Sequence, residues 1–337
     1  MIVSCAAILF SIGAGSMIRK LFALIATAGV LAAGCAAPAV PKAGGVLQVV
    51  ATHSILGDLV KNVGGDKIAL LVLVGAGGDA HTFEPTPQDM EQIAKAGLLF
   101  ENGLEFEGWL DAAFTASDSK AQRVAVSAGI EPLAADEEGE AHAADEADDH
   151  SAEDEDHDGE ADPHIWQSVS NWILAAKNVR DALIKADAAN ATTYEANAAA
   201  YTAELEKLDA DIFAQANALS AAQRILFTSH DALGYFAARY GFEVAGSGLA
   251  SLSTEAADPS AAEVAELVQA IKAAGVPAVF TENTHNSQLM DQIALEAGVS
   301  LAPELYTDAL GEPGSAGETY LKMMRNNISV IAGALGK

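Results

Sequence analysis

Four short segments of this chain each carry one side chain of a type that binds metal ions. They contain His81, His164, His230 and Asp308. Three imidazoles and one carboxylate make a complete tetrahedral ligand set for a borderline-soft divalent ion such as zinc. Each segment alone is a weak signal, because a lone loop histidine is more often solvated or satisfied in a core than bound to metal. The presence of all four in one chain predicts a metal site.

The predicted elements next to these residues explain why they are grouped. His81 comes soon after the glycine-rich turn at residues 75–78, which follows a predicted strand, and His230 comes at the end of a predicted strand over residues 224–228. Asp308 also follows a predicted strand. Because ligands of open α/β sheets bind at the carboxyl ends of strands, we expect these three side chains to converge.

Length and composition limit the possible functions. With 337 residues, the chain is long enough for two domains of ordinary size. The aromatic fraction is only 6%, so the core must be mainly aliphatic. The formal net charge of −29 argues against a surface that binds nucleic acid. This charge is unevenly placed, since 15 acidic residues and no lysine or arginine lie between Asp136 and Asp162.

Residues 1–35 have the features of an export leader. Arg19 and Lys20 precede an apolar stretch that is too short to span a bilayer. The stretch ends in Leu31-Ala32-Ala33-Gly34-Cys35, which resembles a bacterial lipoprotein signal. We therefore expect an exported protein, periplasmic or anchored at the cell surface through a lipid on Cys35.

Two further expectations concern this leader. Translation is expected to start at Met17, because the apolar residues before it precede the charged pair, which is the wrong order for a signal peptide. The alternative is that residues 2–33 form an uncleaved membrane anchor. Cys5 and Cys35 are the only cysteines, so nitrogen and oxygen must hold any metal in the mature chain.

The order of the predicted elements indicates an α/β fold. Predicted strands cover residues 46–51, 68–74, 98–101, 123–126, 224–228, 278–281 and 300–302. Predicted helices cover residues 55–63, 87–96, 109–116, 168–187, 191–219, 232–240, 259–274, 288–297 and 319–335. Strands that alternate with helices are typical of mainly parallel sheets, so we predict two Rossmann-like α/β lobes joined by a long helix.

The predicted organisation has five parts along the chain. They are the leader (1–35), a linker (36–45), a first lobe (46–167), the linking helix (168–188) and a second lobe (189–337). Within the first lobe, the acidic residues 134–162 cannot form a core, so we expect a disordered, solvated loop.

The acidic loop contains His142, His150 and His157. One interpretation is that these histidines collect zinc weakly near the main site or sense a high zinc concentration. The other is that the loop is a solvated run of charge that keeps the protein soluble. The sequence leaves both interpretations open.

Beyond the four candidate ligands, longer segments carry a resemblance to a known family. They are Gly103-Leu104-Glu105-Phe106-Glu107-Gly108-Trp109, residues 232–241, Ser251-Leu252-Ser253-Thr254-Glu255, Phe280-Thr281-Glu282 and Tyr320-Leu321-Lys322-Met323-Met324. With them, the chain from Val46 to the C-terminus resembles the zinc and manganese solute-binding proteins of bacterial ABC importers. The resemblance implies two α/β lobes bridged by a rigid helix, with the metal in the cleft between them. It implies that His81 and His164 bind from the first lobe and His230 and Asp308 from the second.

Details of the site bear on which metal is bound. Manganese receptors of this family usually have glutamate where this chain has His230, and a nitrogen-rich site suits Zn²⁺ better than the harder Mn²⁺. The chain departs from the family at Ala80, where proline is common.

Carboxylates should orient the imidazoles through their second ring nitrogen. We expect Glu282 to do so, and Asp79 and Asp231 are further candidates. His53 is assigned a supporting or structural role, and His285 none.

The sequence therefore predicts a non-enzymatic zinc receptor that delivers Zn²⁺ to an ABC permease. We expect a monomer that meets the membrane only through its lipid, and a zinc chaperone is a possible further partner. Three alternatives remain: a manganese receptor of the same type, a surface adhesin and a zinc hydrolase. The hydrolase is disfavoured because a fourth protein ligand closes the shell, whereas catalytic zinc keeps an open position for water.

Overall fold

The structure, a computed structural model, describes residues 42–43, 45–133, 161–245, 260–284 and 287–336. The expectations for the leader, for Cys35 and for His142, His150 and His157 fall outside these residues, and so does His285. No helix in the described part of the chain is both long and apolar enough to cross a membrane.

The described residues of the first lobe form one five-stranded sheet and three α-helices. Its elements are β1 (Lys42–Ala43), β2 (Val46–His53), α1 (Ser54–Gly64), β3 (Ile68–Val74), α2 (Pro87–Lys95), β4 (Leu98–Glu101), α3 (Leu110–Ala116) and β5 (Gln122–Ala125). Strands β3, β2, β4 and β5 are parallel neighbours in that order. β1 pairs antiparallel with the beginning of β2. The helices follow the strands at their carboxyl ends, so the loops that carry candidate ligands meet at one edge.

β2 is the central strand of this sheet. Val50 pairs with Leu71 of β3 on one side and with Leu99 of β4 on the other. Both faces of the strand are covered, which explains why residues 47–53 are nearly all buried rather than alternately buried and exposed. The sheet therefore places His53, the last residue of β2, deep in the molecule.

Two long helices follow a 3₁₀ turn at Ile165–Gln167. They are α4 (Val169–Ala186) and α5 (Ala191–Ala216). The Ser168 hydroxyl caps α4 by accepting from the Asn171 amide, as expected for a serine at this position. α5 packs against α4 and also against α1, where the Asn197 side chain donates to the Val63 carbonyl (Nδ2–O 3.0 Å).

The second lobe repeats the alternation of strand and helix. Its elements are β6 (Ile225–Leu226), α6 (Gly234–Tyr240), β7 (Glu243–Val244), α7 (Ala261–Ala274), β8 (Ala278–Val279), α8 (Gln288–Ala297), β9 (Ser300–Leu301) and α9 (Tyr320–Leu335). β6 pairs parallel with β7, and β8 with β9. The Phe280 amide donates to the Phe227 carbonyl (2.9 Å), which joins the two pairs side by side.

The prediction of two α/β lobes joined by a long helix is thus confirmed. Gly241 and Gly298 directly follow helices α6 and α8 and have φ angles of 75° and 77°, which favour glycine. Strands of the second lobe are shorter than predicted, and β7 was missed.

One continuous core runs through α1, α4, α5 and α9. Its fully buried members include Trp172, Leu183, Tyr194, Leu208 and Ile328. Because this core joins the linking helix to both lobes, it fixes the distance between the loops that carry the candidate ligands.

The core makes a direct prediction about stability. Leu183→Ala removes a fully buried side chain of α4 and should lower the free energy of unfolding by about 2–5 kcal/mol, through lost burial and a cavity. Leu295→Ala is the matched control, since Leu295 is 81% exposed. Denaturant titration of both variants measures the difference. Equal effects would contradict the assignment of this core.

Candidate metal-binding site

Three imidazoles and one carboxylate lie together where the two lobes meet. The potential ligand atoms of His81, His164, His230 and Asp308 are all within 4.8 Å of one another. From the Asp308 carboxylate, the distances to the Nε2 atoms are 3.8 Å for His81, 3.5 Å for His164 and 2.9 Å for His230. The structure thus brings together all four residues predicted from sequence, in a group that could hold a divalent ion.

The loop before His81 is held by its own aspartate and by a tryptophan. One oxygen of Asp79 accepts from the main-chain N–H of His81 (2.9 Å), and the other accepts from the Thr82 hydroxyl (3.0 Å). The indole N–H of Trp109 donates to the Ala80 carbonyl (2.9 Å). Two of these bonds hold the N–H and the C=O of the peptide unit that joins Ala80 to His81, so this unit is fixed without a proline at position 80.

His164 has a closely similar turn. Asp162 Oδ1 accepts both from the His164 main-chain N–H (2.8 Å) and from the ring at Nδ1 (2.8 Å). With Nδ1–H bound in this way, Nε2 carries the lone pair that faces the site. The Tyr235 hydroxyl, from α6, donates to the Asp162 carbonyl (3.0 Å) and ties the turn to the second lobe.

His230 is held by one glutamate, which lies three residues after β8. Glu282 Oε1 accepts from the main-chain N–H groups of Ser229 and His230 (both 3.0 Å). Its other oxygen lies 2.5 Å from His230 Nδ1. The same carboxylate therefore fixes the backbone and the ring, so the Nε2 atom is directed at Asp308.

The segment that carries Asp308 is fixed by side chains of both lobes. The Thr307 carbonyl accepts from Trp166 Nε1 (2.7 Å) and from Gln167 Nε2 (3.1 Å), both in the 3₁₀ turn after His164. From the second lobe, Asn283 Oδ1 accepts from the Thr307 amide (3.1 Å).

The end of the same segment is also attached to the first lobe. The Leu310 amide donates to the Ser54 hydroxyl (3.0 Å), and the Gly77 amide donates to the Leu310 carbonyl (2.9 Å). Residues 307–310 are thus fixed before and after Asp308, which holds its carboxylate in place.

An unusual turn supports the two histidines of the first lobe. Gly103, Leu104 and Glu105 have consecutive φ angles of 84°, 56° and 59°, although the last two are not glycines. Such residues cost about 1 kcal/mol or more each, so surrounding contacts must hold them there. The turn leads to the buried Phe106, whose ring lies edge-on to His81 with centroids 4.6 Å apart.

Glu107 is the buried residue that holds this turn. It accepts from the Thr52 hydroxyl (2.6 Å), the Asn102 amide (2.7 Å) and the Gly103 amide (3.3 Å). Burial raises the pKa of Glu107 to about 7, and the donated hydrogen bonds oppose that rise. The Asn102 side chain in turn donates to the Pro163 carbonyl (2.8 Å), directly before His164.

The charges of the site differ from residue to residue. Burial lowers the pKa of His81 to about 4, so its imidazole is neutral at pH 7. Burial also opposes protonation of His230, but the Glu282 and Asp308 carboxylates outweigh it and hold the pKa of His230 well above its usual value. Although burial opposes ionisation of Asp308, the imidazoles hold the pKa of this carboxyl below its usual range.

The residues expected to orient the ligands have different contacts. Glu282 contacts the His230 ring as predicted. Asp79 acts on the His81 backbone, and Asp231 is partly buried directly after His230. Asp162 was missed as the partner of His164. The sequence contains a signal for it, since an aspartate stands two residues before the histidine in both Asp79-Ala80-His81 and Asp162-Pro163-His164.

His53 lies beneath the site rather than in it. It is 1% exposed, and its ring packs against Phe106 and Trp166 (centroids 5.1 and 5.4 Å apart). Burial lowers its pKa to about 3, which keeps the ring neutral. These contacts agree with the supporting role expected for it.

A two-lobed α/β fold with a buried group of histidines and an aspartate between the lobes defines a binding protein for a metal ion. The sequence matches the ZnuA family, described as zinc-uptake complex component A, periplasmic, over residues 49–334. The chain belongs to this family. Family membership makes it an extracytoplasmic, metal-binding component of an uptake system and not an enzyme.

Relatives with different metals in their names are similar to this chain. The manganese-binding lipoprotein MntA of Halalkalibacterium halodurans is 32% identical, over 91% of this chain and 95% of the relative. The iron ABC transporter substrate-binding lipoprotein MtsA of Streptococcus pyogenes serotype M1 is 31% identical, over 86% and 89%.

A solved structure has the same fold. The periplasmic zinc-binding protein TroA from Treponema pallidum superposes with a TM-score of 0.76 and 31% identity, over 86% of this chain and 99% of that one. The names in these comparisons cover zinc, manganese and iron, so the similarities define a metal-binding receptor without fixing its metal.

The raised pKa of His230 predicts that metal binding releases a proton. Without metal, Nδ1–H can donate to Glu282 and Nε2–H to Asp308 (2.9 Å). An ion at Nε2 must displace the second proton, so the apparent affinity should rise about tenfold per pH unit below the raised pKa. Calorimetry at pH 8, in buffers of different ionisation enthalpy, should detect release of a proton on binding, because an ordinary imidazole is already neutral there and would release none.

The stability of the metal-free fold should fall as pH rises, whereas the metal affinity should increase. Since the folded pKa of His230 lies above its unfolded value, the protonated ring stabilises the fold fully below about pH 6.5, and this stabilisation is lost as pH rises through the folded pKa. No proton release at pH 8, together with metal-free stability that does not fall at alkaline pH, would contradict the assignment of charge to His230.

The contact between Glu282 and His230 predicts an effect on metal binding. Glu282→Gln keeps the shape but places an amide N–H₂ at His230 Nδ1, which favours the tautomer with a proton on Nε2. Metal affinity should fall by about 10–100-fold, measured by competition with a chelator of known affinity. Glu206→Gln, on the exposed face of α5, is the control and should leave affinity unchanged. An unaltered affinity in Glu282→Gln would show that the carboxylate does not orient the ring.

Proposed function

We propose that this protein is a zinc receptor, which binds Zn²⁺ through His81, His164, His230 and Asp308 and delivers it to an ABC permease for uptake. The observation that carries the proposal is the donor set, three imidazoles and one carboxylate within 4.8 Å of one another. Borderline-soft zinc favours imidazole nitrogen, whereas manganese favours oxygen ligands and higher coordination numbers.

The size of the group supports a four-coordinate ion. Four ligands placed tetrahedrally around zinc at ~2.0–2.1 Å would be separated by about 3.3 Å. The distances from the Asp308 carboxylate to the imidazoles, 2.9–3.8 Å, scatter around that value. His164, His230 and Asp308 are at most 2% exposed, which leaves little room for the additional water ligands that a six-coordinate ion needs.

Manganese is the second candidate, and the names of relatives such as MntA favour it. Because zinc binds almost any nitrogen and oxygen site more tightly than manganese does, the ratio of affinities decides between the candidates better than either affinity alone. In either case the function remains that of a receptor for a divalent ion.

The place of action proposed here is outside the cytoplasm, with the receptor anchored through Cys35. ABC transporter substrate-binding lipoproteins are among the relatives. A single ion bound in place of the proton on His230 changes the charge of the site, and this change could let a permease distinguish loaded from empty receptor.

Replacing one proposed ligand residue tests which metal ion the site prefers. His230→Glu replaces the nitrogen by an oxygen donor and should lower the ratio of zinc to manganese affinity by at least about tenfold. Chelator competition with each metal measures the ratio for the unaltered protein and for the variant. His230→Ala is the matched control, since it removes the ligand and should weaken both metals. A ratio unchanged in His230→Glu, or tight manganese binding with weak zinc binding in the unaltered protein, would contradict a zinc receptor.

A further inference from the structure

A cavity of about 930 Å³ adjoins the site on the first lobe. Its wall includes His81, the turn at residues 103–109 and Pro163. At about 30 Å³ per molecule, this volume corresponds to some 30 waters, so a fully hydrated cation fits inside. Exposed Glu84, Glu105 and Gly108 are also part of the wall, and so the cavity opens to solvent.

His81 connects this cavity to the proposed metal site. It is the one proposed ligand in the wall of the cavity, where His164, His230 and Asp308 do not appear. Its side chain is 6% exposed, and Nε2 makes no hydrogen bond in the described part of the chain. Because His81 belongs both to the wall of the cavity and to the group of four proposed ligands, its unbonded nitrogen can replace one water of an arriving ion.

The charge of the wall suits a cation. The wall holds four carboxylates, Glu84, Glu101, Glu105 and Asp111, and one guanidinium, that of Arg123. Arg123 is paired with Glu101 and Asp111. Among the described residues, Glu84 and Glu105 form no ion pair, so their charge is left to act on the cavity. Acidic clefts raise the local concentration of cations and their rate of association.

We propose that this cavity is the route by which a hydrated divalent cation reaches and leaves the buried site, with His81 the first ligand that it meets. The proposal rests on the function proposed above, that these four residues bind such an ion. The first step exchanges one water for the His81 imidazole and involves no change of oxidation state. His164, His230 and the Asp308 carboxylate then replace the remaining waters, and the proton on His230 Nε2 is released to solvent.

Narrowing the route should slow both directions of exchange equally. A side chain added at Gly108 has open space, with no atom within 4 Å of its Cβ, and the backbone there does not require glycine. Gly108→Trp should therefore lower the association and dissociation rate constants of Zn²⁺ together, by at least tenfold, and leave Kd within about twofold, because an obstacle on a path changes the barrier and not the end states.

Matched variants separate obstruction from general disturbance. Gly333→Trp in α9 also has open space around its Cβ and lies in another cavity, so it should leave both rate constants unchanged. Should Gly108→Trp fail to fold, Gly108→Cys can be alkylated with a bulky maleimide after folding, in a chain with Cys5→Ser and Cys35→Ser. These are the only other cysteines, and the unlabelled protein is the control.

A second experiment tests whether the negative charge of the cavity wall speeds the association of the cation. The double variant Glu84→Gln, Glu105→Gln should bind Zn²⁺ several-fold more slowly at low ionic strength, and its association rate constant should depend less on salt. Its dissociation rate constant should change little. Glu195→Gln with Glu206→Gln, exposed on α5, should change neither rate constant.

Stopped-flow mixing of metal-free protein with Zn²⁺ gives association, and chelator chase gives dissociation. The proposed route is wrong if Gly108→Trp and the labelled Gly108→Cys protein have the same rate constants as the unaltered protein. It is also wrong if only the dissociation rate constant and Kd change. If the unaltered protein binds no ion, the proposed function itself fails, so the two failures are distinguishable.

Discussion

A carboxylate at Asp308 is fully buried where the two lobes meet, and the site is organised around the need to compensate its charge. An isolated buried carboxylate is strongly unfavourable, so it must be paired or bound to a cation. Three imidazoles surround it, and the raised pKa of His230 supplies a positive charge when no metal is bound. A divalent ion can replace that proton and contact all four groups. The same constraint therefore explains both the stability of the empty site and its capacity to bind metal.

The imidazoles can serve this carboxylate only if their rings are fixed. Asp162 and Glu282 contact the Nδ1 atoms of His164 and His230, which leaves Nε2 directed inward in both. The Thr307 carbonyl, held from the first lobe by Trp166, fixes the position of Asp308 relative to those rings. Because the bond from Trp166 to Thr307 crosses between the lobes, the geometry of the site and the packing of the two lobes depend on each other. A ligand set oriented in advance binds without a large cost of ordering.

Much of this architecture follows from local sequence signals, and the remainder depends on contacts distant in sequence. The helices, two of which are closed by Gly241 and Gly298, are determined by local patterns and were predicted with nearly correct bounds. The left-handed turn at Leu104 and Glu105 could not be predicted, since non-glycine residues adopt it only because the buried Glu107 holds them. Two-residue strands such as β7 carry too little periodicity to be recognised. The four candidate ligands were found because their residue types are diagnostic, whereas the hydrogen bonds to Thr307 join residues about 140 positions apart.

The central claim is that one ion binds to these four side chains together. The most direct measurement is a crystal structure of the protein loaded with Zn²⁺, with anomalous scattering recorded on both sides of the zinc absorption edge. The account predicts a single strong anomalous peak, with His81, His164 and His230 nitrogens at ~2.0–2.1 Å and an Asp308 oxygen at ~2.0–2.2 Å from it. A peak elsewhere, or a peak at this place that lacks Asp308 or any one of the three imidazoles, would contradict it.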